Sequence, residues 1–269
     1  MRSPGRPLLA LALLLLVVGA AVAAAVLLRP PSFAGALTGT PSGAPPTTPS
    51  PAAAAATAAP AGPPTPAPAP PAFDRTQRSL DSPDSTWVVV NKLRPLDPVG
   101  YAPADLVDVG GGHLLRAEAA LAVADLQAEA AAAGHGIAVQ SAYRSYEYQE
   151  GLFADAVGRF GAEGAEQRSA RPGHSEHQTG LAVDVGGGGC DIERCFGDTP
   201  EGRWVAANAH RSGFLVRYAA GSEQITGYQY EPWHLRYVGP ELATEMHETG
   251  VATLEEFFGL PPAPEYALG

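Results

Sequence analysis

Two histidines and two carboxylates lie in two short segments of this 269-residue chain, at spacings that suit metal-dependent hydrolysis. His177 and Asp184 are seven residues apart, and Glu231 precedes His234 by three residues. Two imidazoles and one carboxylate can bind a zinc ion and leave one position open for water, and the second carboxylate can take the proton of that water. Either segment alone would be weak evidence, but both together in this order favour a catalytic metal site.

The spacing within each segment requires an irregular backbone. Side chains alternate between the two faces of a regular strand, so residues separated by seven or by three positions would point in opposite directions. Gly180 and Pro232 lie where breaks are needed, because glycine tolerates a positive φ and proline interrupts a regular ladder. The apolar run 181–185 and the alternating run 233–238 then predict strands. We expect the metal-binding side chains at the ends of neighbouring strands.

These motifs resemble those of the LAS zinc peptidases, and most closely those of the VanY-type D-alanyl-D-alanine carboxypeptidases. The resemblance rests on the run S-x-H-x-x-G-x-A-x-D that ends at Asp184 and on the run E-x-x-H that ends at His234. It also rests on an upstream segment, Ser141-Ala142-Tyr143-Arg144-Ser145, with Gln149. The similarity covers about residues 88–240, and the three motifs follow the order of the family.

The resemblance implies one zinc ion with the ligands His177, Asp184 and His234, and Glu231 as the catalytic base. Zinc lowers the pKa of its water from 15.7 to about 7, and Glu231 would accept that proton and pass it to the departing amine. The implied substrate is a peptidoglycan stem peptide that ends in D-Ala. The implied fold is a LAS/hedgehog-like zinc peptidase domain.

Arg144 is the residue expected to bind negative charge. Its guanidinium offers a fork of donors that suits a substrate carboxylate or a developing oxyanion, and the sequence leaves open which of the two it meets. The alternative is an arginine paired with a surface acid. The resemblance adds Ser141, Gln149 and Ser175 as residues that help Arg144 to bind the substrate.

Three functions fit these residues. The first is an exported zinc D,D-carboxypeptidase, and the second is the same chemistry in an L,D-carboxypeptidase, a dipeptidase or an endopeptidase. The third is a zinc-stabilised binding domain without catalysis, as in the hedgehog branch of the superfamily. The presence of both Glu231 and Arg144 argues against the third, because binding alone needs neither.

The N-terminal segment predicts export. Arg2 and Arg6 precede the uncharged stretch 8–28, and Arg29 follows it. A helix of this length rises about 31 Å and can span a hydrocarbon core, whereas a cleaved secretory signal with an Ala-rich end is the alternative. Residues 1–29 are therefore predicted to be a membrane anchor or a signal peptide, with the following chain outside the cytoplasm.

Composition divides the rest of the chain into a linker and one domain. Residues 30–72 contain no charged residue and hold 14 of the 27 prolines, which predicts a disordered, extended tether. Residues 73–269 are long enough for one domain with its own core. The net charge is −11, and the three N-terminal arginines leave −14 for the remainder, which argues against nucleic acid as a partner.

The only two cysteines, Cys190 and Cys195, are predicted to form a disulfide, because the chain is expected to be exported. A metal role is the alternative, although two cysteines alone do not complete a structural zinc site. The glycines at 186–189 predict a flexible loop directly after Asp184, and the bridge would restrain this loop beside the metal site.

The remaining patterns predict an α+β fold with a small, mainly antiparallel sheet and flanking helices, since strands and helices do not alternate strictly. Further strands are predicted at 87–91, 137–143 and 214–218. Helices are predicted at 114–133, 146–160, 162–169, 200–211 and 241–250.

Overall fold

The structure of the chain is a computed structural model that describes residues 72–267. The predicted anchor or signal at 1–29 and nearly all of the predicted linker at 30–72 lie outside the described residues, so both stay predictions. Across residues 72–267, no helix has the length and apolarity needed to cross a bilayer.

A five-stranded antiparallel sheet forms the centre of the described domain. A separate two-stranded sheet consists of β1 (Leu106–Asp108) and β2 (Leu114–Arg116). The strands of the larger sheet are β3 (Ala138–Ser141), β4 (Ala182–Gly187), β5 (Cys190–Asp191), β6 (Phe214–Tyr218) and β7 (Glu231–Tyr237). Their order is β3-β4-β7-β6, with β5 paired to β4, and every pairing is antiparallel.

Helices surround this sheet, which confirms the predicted α+β class. The α-helices are α1 (Ala117–Ala132), α2 (Tyr146–Glu166), α3 (Pro200–Asn208), α4 (Glu223–Thr226), α5 (Pro240–Thr249) and α6 (Leu254–Phe258). Three short 3-10 helices cover Glu176–Thr179, Arg194–Asp198 and Ala209–Ser212. Side chains of the central strands, such as Val183 and Leu235, are fully buried in the same apolar cluster as Leu126 of α1.

Several predicted elements are confirmed. The strand 214–218 matches β6, and the strand 137–143 is present in the shorter form β3. The predicted break between helices 146–160 and 162–169 occurs at Gly161, whose φ of 72° interrupts α2. The second half of α2 ends at Glu166, three residues earlier than predicted. The helix predicted at 200–211 is α3 followed by a 3-10 turn, and the helix at 241–250 is α5.

Two predictions at the start of the domain are wrong. Residues 114–116 belong to β2 rather than to the long helix, because they pair with β1. Residues 87–91 form no strand and make only one isolated bridge, between Asn91 and Arg94. Their buried backbone bonds to a side chain instead of to a strand, since the carbonyl of Val88 accepts a 2.8 Å hydrogen bond from the guanidinium of Arg236.

Candidate metal centre and active site

The three predicted metal ligands meet on the central strands. Asp184 on β4 lies directly opposite His234 on β7 in the antiparallel register. His177 lies in the 3-10 helix Glu176–Thr179, and Gly180 at φ 67° turns this helix towards β4. The predicted break at Gly180 is therefore present. The expected position at strand ends is wrong for Asp184 and His234, which lie inside their strands.

The predicted break around Pro232 is also present. Tyr218 of β6 pairs with Glu231, and Val216 pairs with Leu235, so two steps along β6 match four steps along β7. Such a bulge re-aims side chains next to active sites. Glu231 and His234 can therefore line the same cavity despite their odd spacing.

The distances between the three side chains suit a tetrahedral metal. His177 Nε2 lies 3.3 Å and His234 Nδ1 lies 3.1 Å from Asp184 Oδ1. One ligand atom from each residue falls within a group no wider than 4.8 Å. Tetrahedral zinc with bonds of about 2.0–2.1 Å holds its ligand atoms roughly 3.3 Å apart. The donor set is therefore compact enough to hold a zinc ion.

The hydrogen bond of the His177 ring also favours a cation in this site. Nδ1 lies 2.7 Å from the carbonyl oxygen of Ala142, which can only accept, so Nδ1 carries the hydrogen. Burial, together with the nearby charge of Arg144, lowers the pKa of His177 to about 4. The ring is then neutral at pH 7, and the Nε2 lone pair faces a carboxylate oxygen of Asp184. Two such acceptors repel each other unless a cation lies between them.

His234 has the opposite electrostatic environment. Burial works to lower its pKa, but hydrogen bonds to Asp184 and Glu176 and the charges of both carboxylates raise the pKa to about 9. Burial likewise works to raise the pKa of Asp184, but the charges of His177 and Arg144 hold that pKa well below its usual value. A metal ion that binds here must therefore displace a proton from His234.

Glu231, the first residue of β7, lies beside the ligand group without belonging to it. Its Oε2 is 4.0 Å from His234 Nδ1, and its side chain lines the same cavity. Burial raises the pKa of Glu231 to about 8, against the charges of His234 and Arg144. A carboxylate with a pKa near the working pH can both accept and return a proton.

Arg144 is held against the outer oxygen of a predicted metal ligand. Its Nη2 donates to Asp184 Oδ2 at 2.6 Å and to Ser141 Oγ at 2.9 Å. Asp184 is only 2% exposed, so the alternative of a surface ion pair is wrong. The Arg144 side chain is 21% exposed and lines the cavity, where it can meet a substrate anion.

The other predicted substrate residues occupy different positions. Ser175 is buried and lines the cavity, and its role in substrate binding stays a prediction. Ser141 does not line it and instead accepts hydrogen bonds from Arg144. Gln149 does not line it either, since its amide donates to Ser169 Oγ and to the carbonyl of Ala170, which form part of the wall. Ser141 and Gln149 thus hydrogen-bond to residues that line the cavity without lining it themselves.

Several residues of the site were missed by the sequence analysis. The metal cavity has a volume of about 120 Å³ and is also lined by Glu176, Arg168, Tyr218, Tyr228 and Ile192. A larger, polar cavity of about 720 Å³ shares Arg168 and Tyr228 with it. The one available signal was the position of Glu176 directly before His177.

The predicted disulfide between Cys190 and Cys195 is confirmed, with a Cα–Cα distance of 5.9 Å. Ile192, inside the bridged loop, lines the metal cavity. The flexible loop predicted at 186–189 is shorter than expected. Its first two glycines belong to β4, and only Gly188 and Gly189 form the turn, both at positive φ.

Opening this bridge with the paired substitution Cys190→Ser and Cys195→Ser should raise KM several-fold without removing zinc. A disulfide that closes a loop of this length reduces the conformational entropy of the unfolded chain, which is equivalent to about 2 kcal/mol of free energy. The loop contributes Ile192 to the cavity but no metal ligand. KM and zinc content of the purified variant test this. An unchanged KM would mean that the loop keeps its shape without the bridge.

Comparison with known proteins places these motifs in a family. Residues 112–240 match VanY, a family of D-alanyl-D-alanine carboxypeptidases. The Bacillus subtilis protein YodJ, a carboxypeptidase by name, is 40% identical over 191 residues, which cover 67% of this chain and 69% of YodJ.

Two solved structures are similar as well. The LD-carboxypeptidase LdcB has a TM-score of 0.61 and 39% identity, over 66% of this chain and 87% of that chain. A mutant of the vancomycin resistance D,D-pentapeptidase VanY, in complex with Zn(II), has a TM-score of 0.56 and 33% identity, over 65% of this chain and 98% of that chain. The expected fold and enzyme class are thereby confirmed. The chain belongs to the VanY-type carboxypeptidases among the LAS zinc peptidases.

Proposed function

We propose that this protein is an exported zinc D,D-carboxypeptidase that hydrolyses the terminal D-Ala-D-Ala bond of peptidoglycan stem peptides. The observation that carries the proposal is the position of the buried Glu231 carboxylate beside the His177, Asp184 and His234 group, in the wall of one cavity. A metal group alone would suit a binding domain, whereas a metal group with an adjacent base suits hydrolysis.

One zinc ion would be held by His177, Asp184 and His234, whose spacing and donor atoms fit it. When bound, zinc supplies a Lewis acid that brings the pKa of a water molecule to about 7. The similarity to a protein solved with Zn(II) supports this choice of metal.

The side chains of the protein then provide the proton transfer and the positive charge. Glu231 accepts a proton from the attacking water and returns it to the nitrogen of the departing D-Ala, and the burial that raises its pKa makes its ionised form a stronger proton acceptor. Arg144, fixed by Asp184 and Ser141, stabilises negative charge on the substrate.

A second candidate is an L,D-carboxypeptidase that acts on the tetrapeptide. The similarity to LdcB, at 39% identity, favours it. A dipeptidase is less well supported, because a cavity of about 720 Å³ adjoins the metal cavity and offers room for a longer peptide.

The test is a product assay with the full-length protein, purified in detergent and loaded with zinc. Stem pentapeptide, tetrapeptide and free D-Ala-D-Ala are offered separately, with and without a chelator, and the products are identified by mass spectrometry. Loss of one alanine from the pentapeptide, abolished by the chelator, supports the proposal. Cleavage of the tetrapeptide alone would favour the L,D-activity, and no product from any peptide would exclude both.

Export is proposed from the charge pattern of residues 1–29, and attachment to the membrane is expected if this segment is not cleaved. Protease treatment of intact cells, followed by fractionation, tests both points. A protease-sensitive protein in the membrane fraction supports an anchor, release into the medium supports cleavage, and complete protection inside the cell would contradict export.

Zinc affinity should rise by at least about tenfold for each pH unit between roughly pH 6 and pH 8. Zinc must displace the proton on His234, whose pKa is about 9, so the protonated fraction weakens binding more at each lower pH. His177, with a pKa of about 4, is already neutral in this range and adds no slope. Competition titrations against a chelator at several pH values measure the slope, and a constant affinity from roughly pH 6 to pH 8 would contradict the expectation.

A further inference from the structure

Four charged side chains form a fully buried cluster that contacts the metal ligand His234. Each is at most 1% exposed, and two carboxylates balance two guanidinium groups: Glu176, Glu255, Arg217 and Arg236. Burying charges costs several kcal/mol per ion unless each group is paired and hydrogen-bonded. We call these four residues the buried charge cluster.

The hydrogen bonds of the cluster converge on one oxygen of Glu176. Its Oε1 accepts from Arg217 Nε at 2.8 Å and from Arg236 Nη1 at 3.1 Å. The other donors of Arg217 bind both oxygens of Glu255, at 2.9 and 2.7 Å. Those of Arg236 bind backbone carbonyls, including that of Val88. Oε1 of Glu176 is therefore fixed by two arginines, which leaves Oε2 for another partner.

That partner is His234, whose Nε2 lies 3.3 Å from Glu176 Oε2. Two arginines donate to Oε1, so Glu176 is a charged carboxylate whose Oε2 can only accept, and Nε2 of the ring must carry a hydrogen. In the metal-bound ring, which is neutral, the lone pair then belongs to Nδ1. This is the atom 3.1 Å from Asp184 Oδ1, inside the ligand group.

We infer that Glu176 is a positioning residue that fixes the tautomer and orientation of His234, and that the buried charge cluster holds Glu176 in place. This inference rests on the zinc binding proposed above. Outer carboxylates that accept from a metal-binding histidine raise metal affinity, and their loss typically costs about 10–100-fold. A glutamine at position 176 should weaken zinc binding more than a side chain that makes no hydrogen bond to His234. Its carbonyl would face the two arginines, and its NH2 would then face Nε2 and favour hydrogen on Nδ1.

The test compares two substitutions in the full-length protein, with the zinc dissociation constant measured by chelator competition. Glu176→Gln should raise the constant by about 10–100-fold. Glu255→Gln is the matched control, because it removes the same charge from the same cluster and also contacts Arg217 but does not touch His234. Because Glu255 reaches His234 only through Arg217 and Glu176, Glu255→Gln should raise the constant less than Glu176→Gln does. Equal constants for Glu176→Gln and the wild type would overturn the inference.

A second measurement needs no variant, and it decides the matter if Glu176→Gln does not fold. In zinc-loaded wild-type protein with 15N-labelled histidine, NMR of the ring nitrogens should show hydrogen on Nε2 of His234 and none on Nδ1. Hydrogen on Nδ1 would overturn the inference. Failure of the wild type to bind zinc would instead refute the proposed metal site, so the two failures can be told apart.

Discussion

Replacement of Glu231 by alanine should lower kcat by about 10²–10⁴-fold while the zinc content stays unchanged. The carboxylate is 4.0 Å from His234 Nδ1 and lies outside the group of three metal-binding atoms. The substitution therefore removes the proton acceptor but leaves every ligand in place. Steady-state kinetics on the peptide that the product assay identifies, together with zinc analysis of the same sample, measure both quantities.

The matched control is Glu241→Ala, an exposed carboxylate in the first turn of α5, which should leave kcat unchanged. Full turnover by the zinc-loaded Glu231→Ala protein would exclude Glu231 as the base. Joint loss of zinc and turnover would instead make Glu231 a metal ligand. Because Glu231 is buried, with a pKa of about 8, its removal should also relieve an electrostatic cost, so the variant should be folded.

The candidate site could be predicted from the sequence where its parts are local. His177 and Asp184 lie in one segment and Glu231 and His234 in another, and the breaks at Gly180 and Pro232 follow from the alternation of strand side chains. Each motif thus contains the information for its own geometry.

Glu176 could not be assigned a role in this way. Its partners Arg217 and Arg236 are 41 and 60 residues away in sequence, on neighbouring strands. Only the register of β6 and β7 brings the two guanidinium groups together under the metal site. The sequence shows only that an acidic residue precedes His177, whereas the tertiary structure shows that this residue contacts two arginines and His234.

The secondary structure could likewise be predicted from the sequence only where its cause is local. The break predicted between residues 160 and 162 is present at Gly161, where a φ of 72° is incompatible with a right-handed helix and is tolerated by glycine. The valine-rich segment 87–91 has the local preferences of a strand. The carbonyl of Val88 in this segment, and that of Thr86 just before it, accept from the side chain of Arg236 instead of from another strand, and no local pattern reveals that partner.

Replacement of Asp184 by alanine should abolish detectable turnover and raise the zinc dissociation constant by more than the roughly 100-fold expected for loss of an outer partner. Asp184 Oδ1 is the carboxylate oxygen that lies beside both histidines of the group, at 3.3 and 3.1 Å. Its other oxygen holds Arg144. One substitution thus removes a proposed ligand and releases the residue proposed to bind substrate charge.

Asp184→Ala should also destabilise the metal-free protein, by about 3–5 kcal/mol, because the buried, protonated His234 and the partly buried guanidinium of Arg144 lose their shared partner. Denaturant unfolding in the presence of a chelator measures this loss, and calorimetric titration of the folded fraction measures zinc binding. Asp155→Ala, which removes an exposed carboxylate from α2, should change neither quantity. Wild-type zinc affinity in Asp184→Ala would mean that Asp184 serves only as the counter-charge of Arg144 and His234. The metal, and the hydrolysis proposed for it, would then need another ligand set.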